Sequence, residues 1–458
     1  MKTKNKSKPT ISACLIVKNE EEFLPCCLKS VRNVVDEIIV VDTGSTDNTV
    51  NIAKDHCAKV YHHTWNDSFS EAKNYSISYA TCDWILQIDA DEELEQSDIP
   101  RLRDAIGDNR YNAILVAIYS NVKNNEHKFY YPRIFRRGNA YYRDIIHEQI
   151  IIEGAQLPTE IRLYHHGYNL NAIKMKKKWE RTTYLLKKQL EQNDGNSFAW
   201  INLIRNYRSQ ELYEKGIETG EAALKRIKPE ENFQHYRMIC YETANCYLHK
   251  GNFKRAKELC YEKVLRNPIS KIQEENIDIL YTLACIHLKE GDYDVAIELF
   301  KQYLSLHMWY HDNLKSSHLL IDTLGYDYAA YNGLGYCYGN TGEWQLAMHS
   351  FKRAIAINPR YLTSYKNLSA CQLIREKKSE AIATLSKTIS AGIADHDVFL
   401  NLGELCMEQK AYQDAIKYFE DYLKKCPRDK KALLKISQCY ELSGWLEAAH
   451  IGFRSVNT

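Results

Sequence analysis

The residues with the most chemical promise close a short apolar run. Trp84-Ile85-Leu86-Gln87-Ile88 breaks off into Asp89-Ala90-Asp91-Glu92-Glu93. Such a run reads as a strand buried on both faces, delivering paired carboxylates at its C-terminal end. Hard cations such as Mg²⁺ or Mn²⁺ take oxygen ligands of this kind and complete their shell with phosphate oxygens and water. A lone Asp-x-Asp reads more simply as a solvated acidic turn. Two earlier runs favour a site: Ile11 to Val17 ends in Lys18-Asn19-Glu20, and Glu37 to Val41 ends in Asp42-Thr43-Gly44-Ser45.

The elements that must position these groups follow from the pattern. Helical spacing from Phe23 to Val31, a helix from Thr49 to His56 with Asp47 as its N-cap, a short strand from Lys59 to His62 and a helix from Phe69 to Tyr79 alternate with the three runs. Strand and helix in alternation predict an α/β domain built on a mostly parallel, doubly wound sheet. Ligands bind such sheets outside the carboxyl ends of the strands, where Asn19, Glu20, Asp42, Asp89 and Asp91 all fall. From Ala113 to Tyr168 the pattern changes to strands at Ile114 to Tyr119, Lys128 to Phe135, Tyr141 to Ile146 and Ile161 to His165. This reads as an antiparallel extension covering one side of the sheet and carrying acceptor contacts. Lys174 to Lys178 opens a basic helix that reads as a solvated linker.

Beyond Ser197 the chain is helical. Ala347, Ala381, Ala415 and Ala449 recur every 34 residues, and Tyr331, Leu334, Gly335, Tyr338, Ala347, Phe351, Ala354 and Pro359 occupy the tetratricopeptide pattern. Gly216, Ala256 and Ala296 mark earlier units. About seven units are expected, with an insertion near 305–326. No unit buries its own apolar face, so the repeats must stack into an all-α solenoid. Their aromatic stripes read as core, and their surface as a place for a peptide, a partner or a second copy in a homodimer. The expected layout is a basic tail over 1–9, the α/β domain over 10–170, a helical linker over 171–196 and the repeats over 197–458.

A formal net charge of +2 argues against nucleic acid as a partner. No apolar run approaches the ~20 residues of a transmembrane segment, and no apolar leader follows the basic start. The 14 cysteines show no metal-ligand spacing. A cytoplasmic protein with reduced thiols is the expectation.

Taken together, ISACLIVKNEEEFLPCCLKSV, EIIVVDTGSTDNTV, WNDSFSEAKN and WILQIDADEE resemble family 2 glycosyltransferases of the GT-A fold. With the blocks YRDIIHEQ and LYHHGYN and the repeats, the chain resembles glycocin peptide glycosyltransferases of the sublancin type, which place sugars on Cys or Ser. The resemblance implies a UDP-sugar donor, a peptide or protein acceptor, and Mg²⁺ or Mn²⁺. It assigns Asn19, Glu20, Asp42, Lys73, Asp89 and Ala90 to the nucleotide-sugar, and Asp91 and His165 to the metal. Lys73 stands where relatives carry Arg, and Ser68 separates Asp67 from Phe69, so both positions depart from the family pattern.

The family implies inversion by one in-line displacement, in which a base takes the acceptor proton. Glu148 is the first candidate, with Asp144 and His147 behind it. An ion pair with Arg133 or Arg143 is the competing role for Glu148. Arg133, Phe135 and Arg136 are candidates for acceptor or phosphate contact. A cell-envelope or lipid-linked glycan is the alternative acceptor.

Overall fold

The computed structural model describes residues 8–122, 125–167, 172–266, 276–313 and 322–445. The repeat anchor Ala449, Pro268, and Tyr168-Asn169 of the LYHHGYN block lie outside them. The chain divides into two compact units, Met1–Lys250 and Gly251–Thr458.

In the first unit, β1 (Ile11–Val17), α1 (Leu24–Val31), β2 (Glu37–Asp42), α2 (Thr49–Asp55), β3 (Lys59–His62), α3 (Phe69–Ser78) and β4 (Trp84–Gln87) alternate as the pattern predicts. β3, β2, β1 and β4 lie side by side and parallel. The apolar runs of β1, β2 and β4 are buried on both faces of the sheet. Ala13, Leu15, Trp84 and Leu86 pack in one core, while Cys14, Ile39 and Ile85 pack in the other.

Past β4 come β5 (Glu92–Leu94), α4 (Ile99–Gly107), β6 (Ala113–Val122), β7 (Asn125–Arg136), β8 (Ala140–Arg143), β9 (Gln149–Ile152) and β10 (Gln156–His165). β7 joins β4 antiparallel, β6 follows antiparallel, β10 pairs parallel with β6, and β5 closes the eight-stranded sheet antiparallel to β10. The extension is therefore mixed, not purely antiparallel. The strand expected from Tyr141 to Ile146 stops at Arg143, because Asp144 (φ 72) and His147 (φ 50) turn the chain through left-handed backbone. β9 then pairs back on β8. β5 has no apolar alternation to announce it, yet its register sets His165 opposite Glu92.

α5 (Ala172–Gln192) is the helix expected as a solvated linker. Its Leu185, Leu186 and Leu190 instead pack with Ile146 and with Leu203 of α6 (Ser197–Ser209). Gln189 Oε1 accepts from the amides of Ile145 and Ile146 at 3.0 and 3.3 Å.

The second unit consists of helices such as Asp327–Asn340, Trp344–Ile357, His396–Glu408 and Tyr412–Lys425, set in antiparallel pairs. Close approach explains its glycines. A Cβ on Gly335 would lie 2.6 Å from the Phe351 ring, and one on Gly403 would lie 2.5 Å from Phe419. Phe300, Phe351 and Phe419 are buried, so the aromatic stripes are core. Among the described residues, no helix is long and apolar enough to cross a membrane.

Candidate active site

The C-terminal ends of β1, β2 and β4 form one edge of the sheet. β2 ends in Asp42, whose carboxylate turns back to accept from the amides of Ser45 (3.0 Å) and Gly44 (3.2 Å). These bonds outweigh burial and hold Asp42 below the usual carboxylate range. Asn19, at φ 57, accepts from the Thr46 amide at 2.7 Å and so ties the β1 loop to the β2 loop.

Beyond β4 lies a cavity of about 790 Å³. Asp89 stands on its floor between two cations: Lys73 Nζ at 3.2 Å and an Arg133 nitrogen at 2.7 Å. Arg133 also binds Glu92 at 2.5 Å, and Lys73 reaches Glu148 at 2.6 Å. The Glu92 carboxylate accepts from the Asp89 amide at 3.0 Å. Burial opposes the charge on Asp89, but Arg133 and Lys73 overcome it and hold the carboxyl well below its ordinary range. The same carboxylates raise Lys73 against its own burial, so the ammonium stays charged.

Asp91 has a different setting. His165 Nε2 lies 3.3 Å from its carboxylate, and the His166 amide donates to its carbonyl at 2.9 Å. Burial disfavours the charged imidazole of His165, yet the hydrogen bond and charge of Asp91 leave its pKa raised. Gly167 presses directly on this carboxylate. A Cβ there would sit 1.8 Å from Asp91 Oδ2 and 3.4 Å from His165 Nε2. A carboxylate and an imidazole together on the cavity lining are ligand types that suit a Mn²⁺ or Mg²⁺ ion drawing its remaining ligands from phosphate and water. These residues fit such an ion.

Glu20, Asp89, Ala90, Asp91, His165, Lys73, Arg133, His147 and Glu148 all line the cavity. Asn19 and Asp42 are not in its lining; they stand on the neighbouring β1–β2 edge. Burial, with Asp91 beside it, pushes Glu20 up to about 7. Desolvation lowers His147 despite the nearby Glu148.

Several expectations need correction. Phe135 is wholly buried and packs with Ile85 and Tyr142, because β7 crosses the sheet centre there. It touches core, not acceptor. Asp144 lies outside the cavity lining, its carboxylate taken by Asn196 Nδ2 at 3.1 Å. The Arg133 guanidinium clamps Asp89 and Glu92, and the ion pair at Glu148 comes from Lys73, not Arg133 or Arg143. Arg136 stacks on Trp84 at 4.5 Å and donates to the Tyr111 carbonyl, an arrangement that holds the sheet edge together.

Lys178, Arg181 and Thr182 of α5 and Phe198 of α6 also line the cavity, unforeseen in the sequence. The basic run Lys174 to Lys178 was visible, but which of its lysines turns inward depends on how α5 docks. Ser68 caps α3 by accepting from the Glu71 amide at 3.2 Å. The preceding Asp67, at φ 61, turns outward to Lys188 at 2.8 Å.

The Glycosyl transferase family 2 description matches residues 12–169, covering the sheet and every cavity carboxylate. Tetratricopeptide repeat descriptions match 277–306, 328–361 and 375–430. Residues 12–169 form a family 2 glycosyltransferase domain. The chain is similar to a TPR repeat-containing protein of Synechococcus elongatus, 26% identical over 76% of each chain. It is also similar to the SPbeta prophage-derived glycosyltransferase SunS of Bacillus subtilis, 29% identical over 50% of this chain and 56% of that one. An uncharacterized glycosyltransferase of Rickettsia felis is 39% identical over 29% of this chain and 46% of its own length. The match thus spans about half the length of these last two relatives. Among solved structures, a tetratricopeptide repeat protein from Parabacteroides merdae is 16% identical with a TM-score of 0.39, over 59% of this chain and 94% of that one. The family match ends two residues past Gly167, so α5 and its cavity-lining side chains lie outside the matched residues.

Proposed function

We propose that this protein is a metal-dependent, inverting glycosyltransferase that moves a hexose from a UDP-sugar to a Cys or Ser side chain of a peptide. The observation that carries the reading is the pairing of two differently used carboxylates on one cavity. Asp91 pairs with His165, where a metal would sit, and Glu148 pairs with Lys73, where an acceptor would approach. The resemblance of the motif blocks to glycocin glycosyltransferases and the repeats favour a peptide acceptor, with the repeats gripping the substrate, a partner or a second copy.

In this reading the acceptor sulfur or oxygen attacks the anomeric carbon as the bond to the diphosphate oxygen breaks. The electron pair leaves on the diphosphate, and the acceptor proton passes to the Glu148 carboxylate. Lys73 orients that carboxylate. A metal bound by Asp91 and His165 would supply Lewis-acid charge toward the diphosphate. Asp89, fixed by Lys73 and Arg133, faces the donor as a positioned acceptor of hydrogen bonds. A cysteine acceptor, with a thiol pKa of ~8.5, asks less of the base than a serine hydroxyl.

The test is UDP release from a panel of UDP-sugars with Mg²⁺ or Mn²⁺, then with chelator, beside Asp91→Ala, with acceptor peptides followed by mass shift. Metal-dependent release that disappears in Asp91→Ala is expected. Full activity in that variant would overturn the metal assignment, and release without glycosylation of any peptide would turn the search to glycan acceptors.

A further inference from the structure

The loop between β8 and β9 brings Glu148 to the cavity lining, and its backbone is constrained. Asp144 (φ 72) and His147 (φ 50) both occupy the left-handed region without being glycine. Such residues keep that conformation only where surrounding contacts over-determine it. Two of these contacts come from α5 and α6. Gln189 of α5 accepts from the amides of Ile145 and Ile146 through one oxygen, at 3.0 and 3.3 Å. Asn196, the N-cap of α6, donates from Nδ2 to the Asp144 carboxylate at 3.1 Å, while its Oδ1 accepts from the Ala199 amide at 3.0 Å. Elsewhere in the loop, the Ile145 carbonyl accepts from the Phe69 amide at 2.8 Å and the Glu148 carbonyl from the Tyr131 hydroxyl at 3.3 Å. Gln189 is buried, and its Nε2 has no hydrogen-bond partner among the described residues. Burying that donor costs free energy, so what the side chain contributes is the oxygen that holds two loop amides.

We propose that Gln189 and Asn196 are positioning residues for the glycosyl transfer, locking the turn over 144–147 and so setting where the Glu148 carboxylate meets the acceptor proton. The inference rests on the reading of Glu148 as the base. Gln189 and Asn196 are not in the cavity lining; both act through the loop. Glu148 follows His147 directly, so a change in the left-handed turn redirects its side chain. The Lys73 ammonium, 2.6 Å from the carboxylate, holds the tip of the base, and the loop holds its root. Proton transfer needs the carboxylate within hydrogen-bond reach of the acceptor, and a misplacement of about 1 Å slows an enzyme substantially. Both residues lie beyond the family match at residue 169. The helices that follow the family 2 sequence thereby become part of the catalytic unit.

The experiment measures UDP release from the panel of UDP-sugars by the full chain with Mn²⁺, beside calorimetric titration with UDP. Gln189→Met keeps the side chain's length and removes its acceptor. Asn196→Asp keeps an N-cap oxygen but sets a carboxylate against Asp144. Gln192→Met, at the exposed last residue of α5, is the control, and thermal melts report folding. Each of the first two variants is expected to slow release about tenfold or more, with UDP affinity within about twofold of wild type and the control unchanged. Adding Asp144→Asn to Asn196→Asp restores the hydrogen bond in the reverse sense and should recover most of the rate. That pair keeps the test decisive if Gln189→Met misfolds. In a Glu148→Gln background, itself slow, neither substitution should slow release further, because a residue acting through the base has no effect once the base is gone. Wild-type rates in both variants, a parallel loss of UDP affinity, no recovery in the reversed pair, or full additivity with Glu148→Gln overturns the proposal and leaves the base reading standing. A wild-type rate in Glu148→Gln, or no release by wild type, removes the base reading itself, and the proposal with it.

Discussion

The two aspartates of the Asp89-Ala90-Asp91 motif are held so differently that they should fail differently. Asp89 is locked between Lys73 and Arg133, whereas Asp91 pairs with His165. Asp91→Ala should therefore abolish metal-dependent UDP release while leaving stability within about 1 kcal/mol. Lys73→Met should cost about 3–5 kcal/mol, because it strands Asp89 and Glu148 without their ammonium. Urea denaturation beside the release assay separates the two. Gly167→Ala belongs with Asp91. Its new Cβ would overlap the Asp91 carboxylate, so the flexible acid must swing away from His165. A melt close to wild type with clearly weaker Mn²⁺ dependence of activity is expected, and unchanged metal dependence would count against the Asp91–His165 pair.

His165 reaches Asp91 because β10 is placed by β5 and by a buried acid. Asp98 accepts from the Arg162 amide at 3.0 Å and its Nε at 2.7 Å, and from Arg101 at 2.7 Å. Burial works against its charge, but these partners hold Asp98 below the usual aspartate range. A depressed native pKa means that the unfolded chain binds more protons at acid pH. The stabilisation is complete above the ordinary aspartate value of ~3.9 and is lost as pH falls through the native one. Asp98→Asn should thus lower stability by about 2 kcal/mol at pH 7, with the gap to wild type narrowing below pH ~4. Denaturant titrations across pH check this. A gap that stays constant to pH 2 would exclude an ionic origin. The strands β1, β2 and β4 were legible because each is a nearly continuous apolar run. β5 was not, since Glu92-Glu93-Leu94 owes its strand state to pairing with β10 and its buried glutamate to Arg133.

At the scale of the molecule, the compact unit that holds the cavity runs to Lys250, past the end of the glycosyltransferase match at residue 169. Ile146, Trp65 and Phe69 of the sheet domain pack with Leu185, Leu186, Leu190 and Leu203 of α5 and α6. A chain ending at residue 170 would expose this cluster and lose the Gln189 bonds to the loop before His147. It should aggregate or melt well below the intact protein, while a chain ending at Lys250 should fold cooperatively and keep nucleotide binding. Melts and calorimetric titration with UDP test both. Equal behaviour of the two truncations would show that the helices add nothing to the catalytic unit.

Sequence alone determined the alternating parallel core, the carboxylates at its edge and the repeat period, because each is a local pattern that neighbouring residues enforce. Motif blocks singled out Glu148 and His165 as candidates, and both line the cavity. Only the tertiary structure decided that Phe135 faces core, that Asp144 is turned away, that Lys73 is the partner of Glu148, and that Lys178 and Arg181 enter the cavity. Those outcomes depend on which strand lies beside which and on how one helix rotates against a sheet. Such long-range packing is not written in any single stretch of the chain.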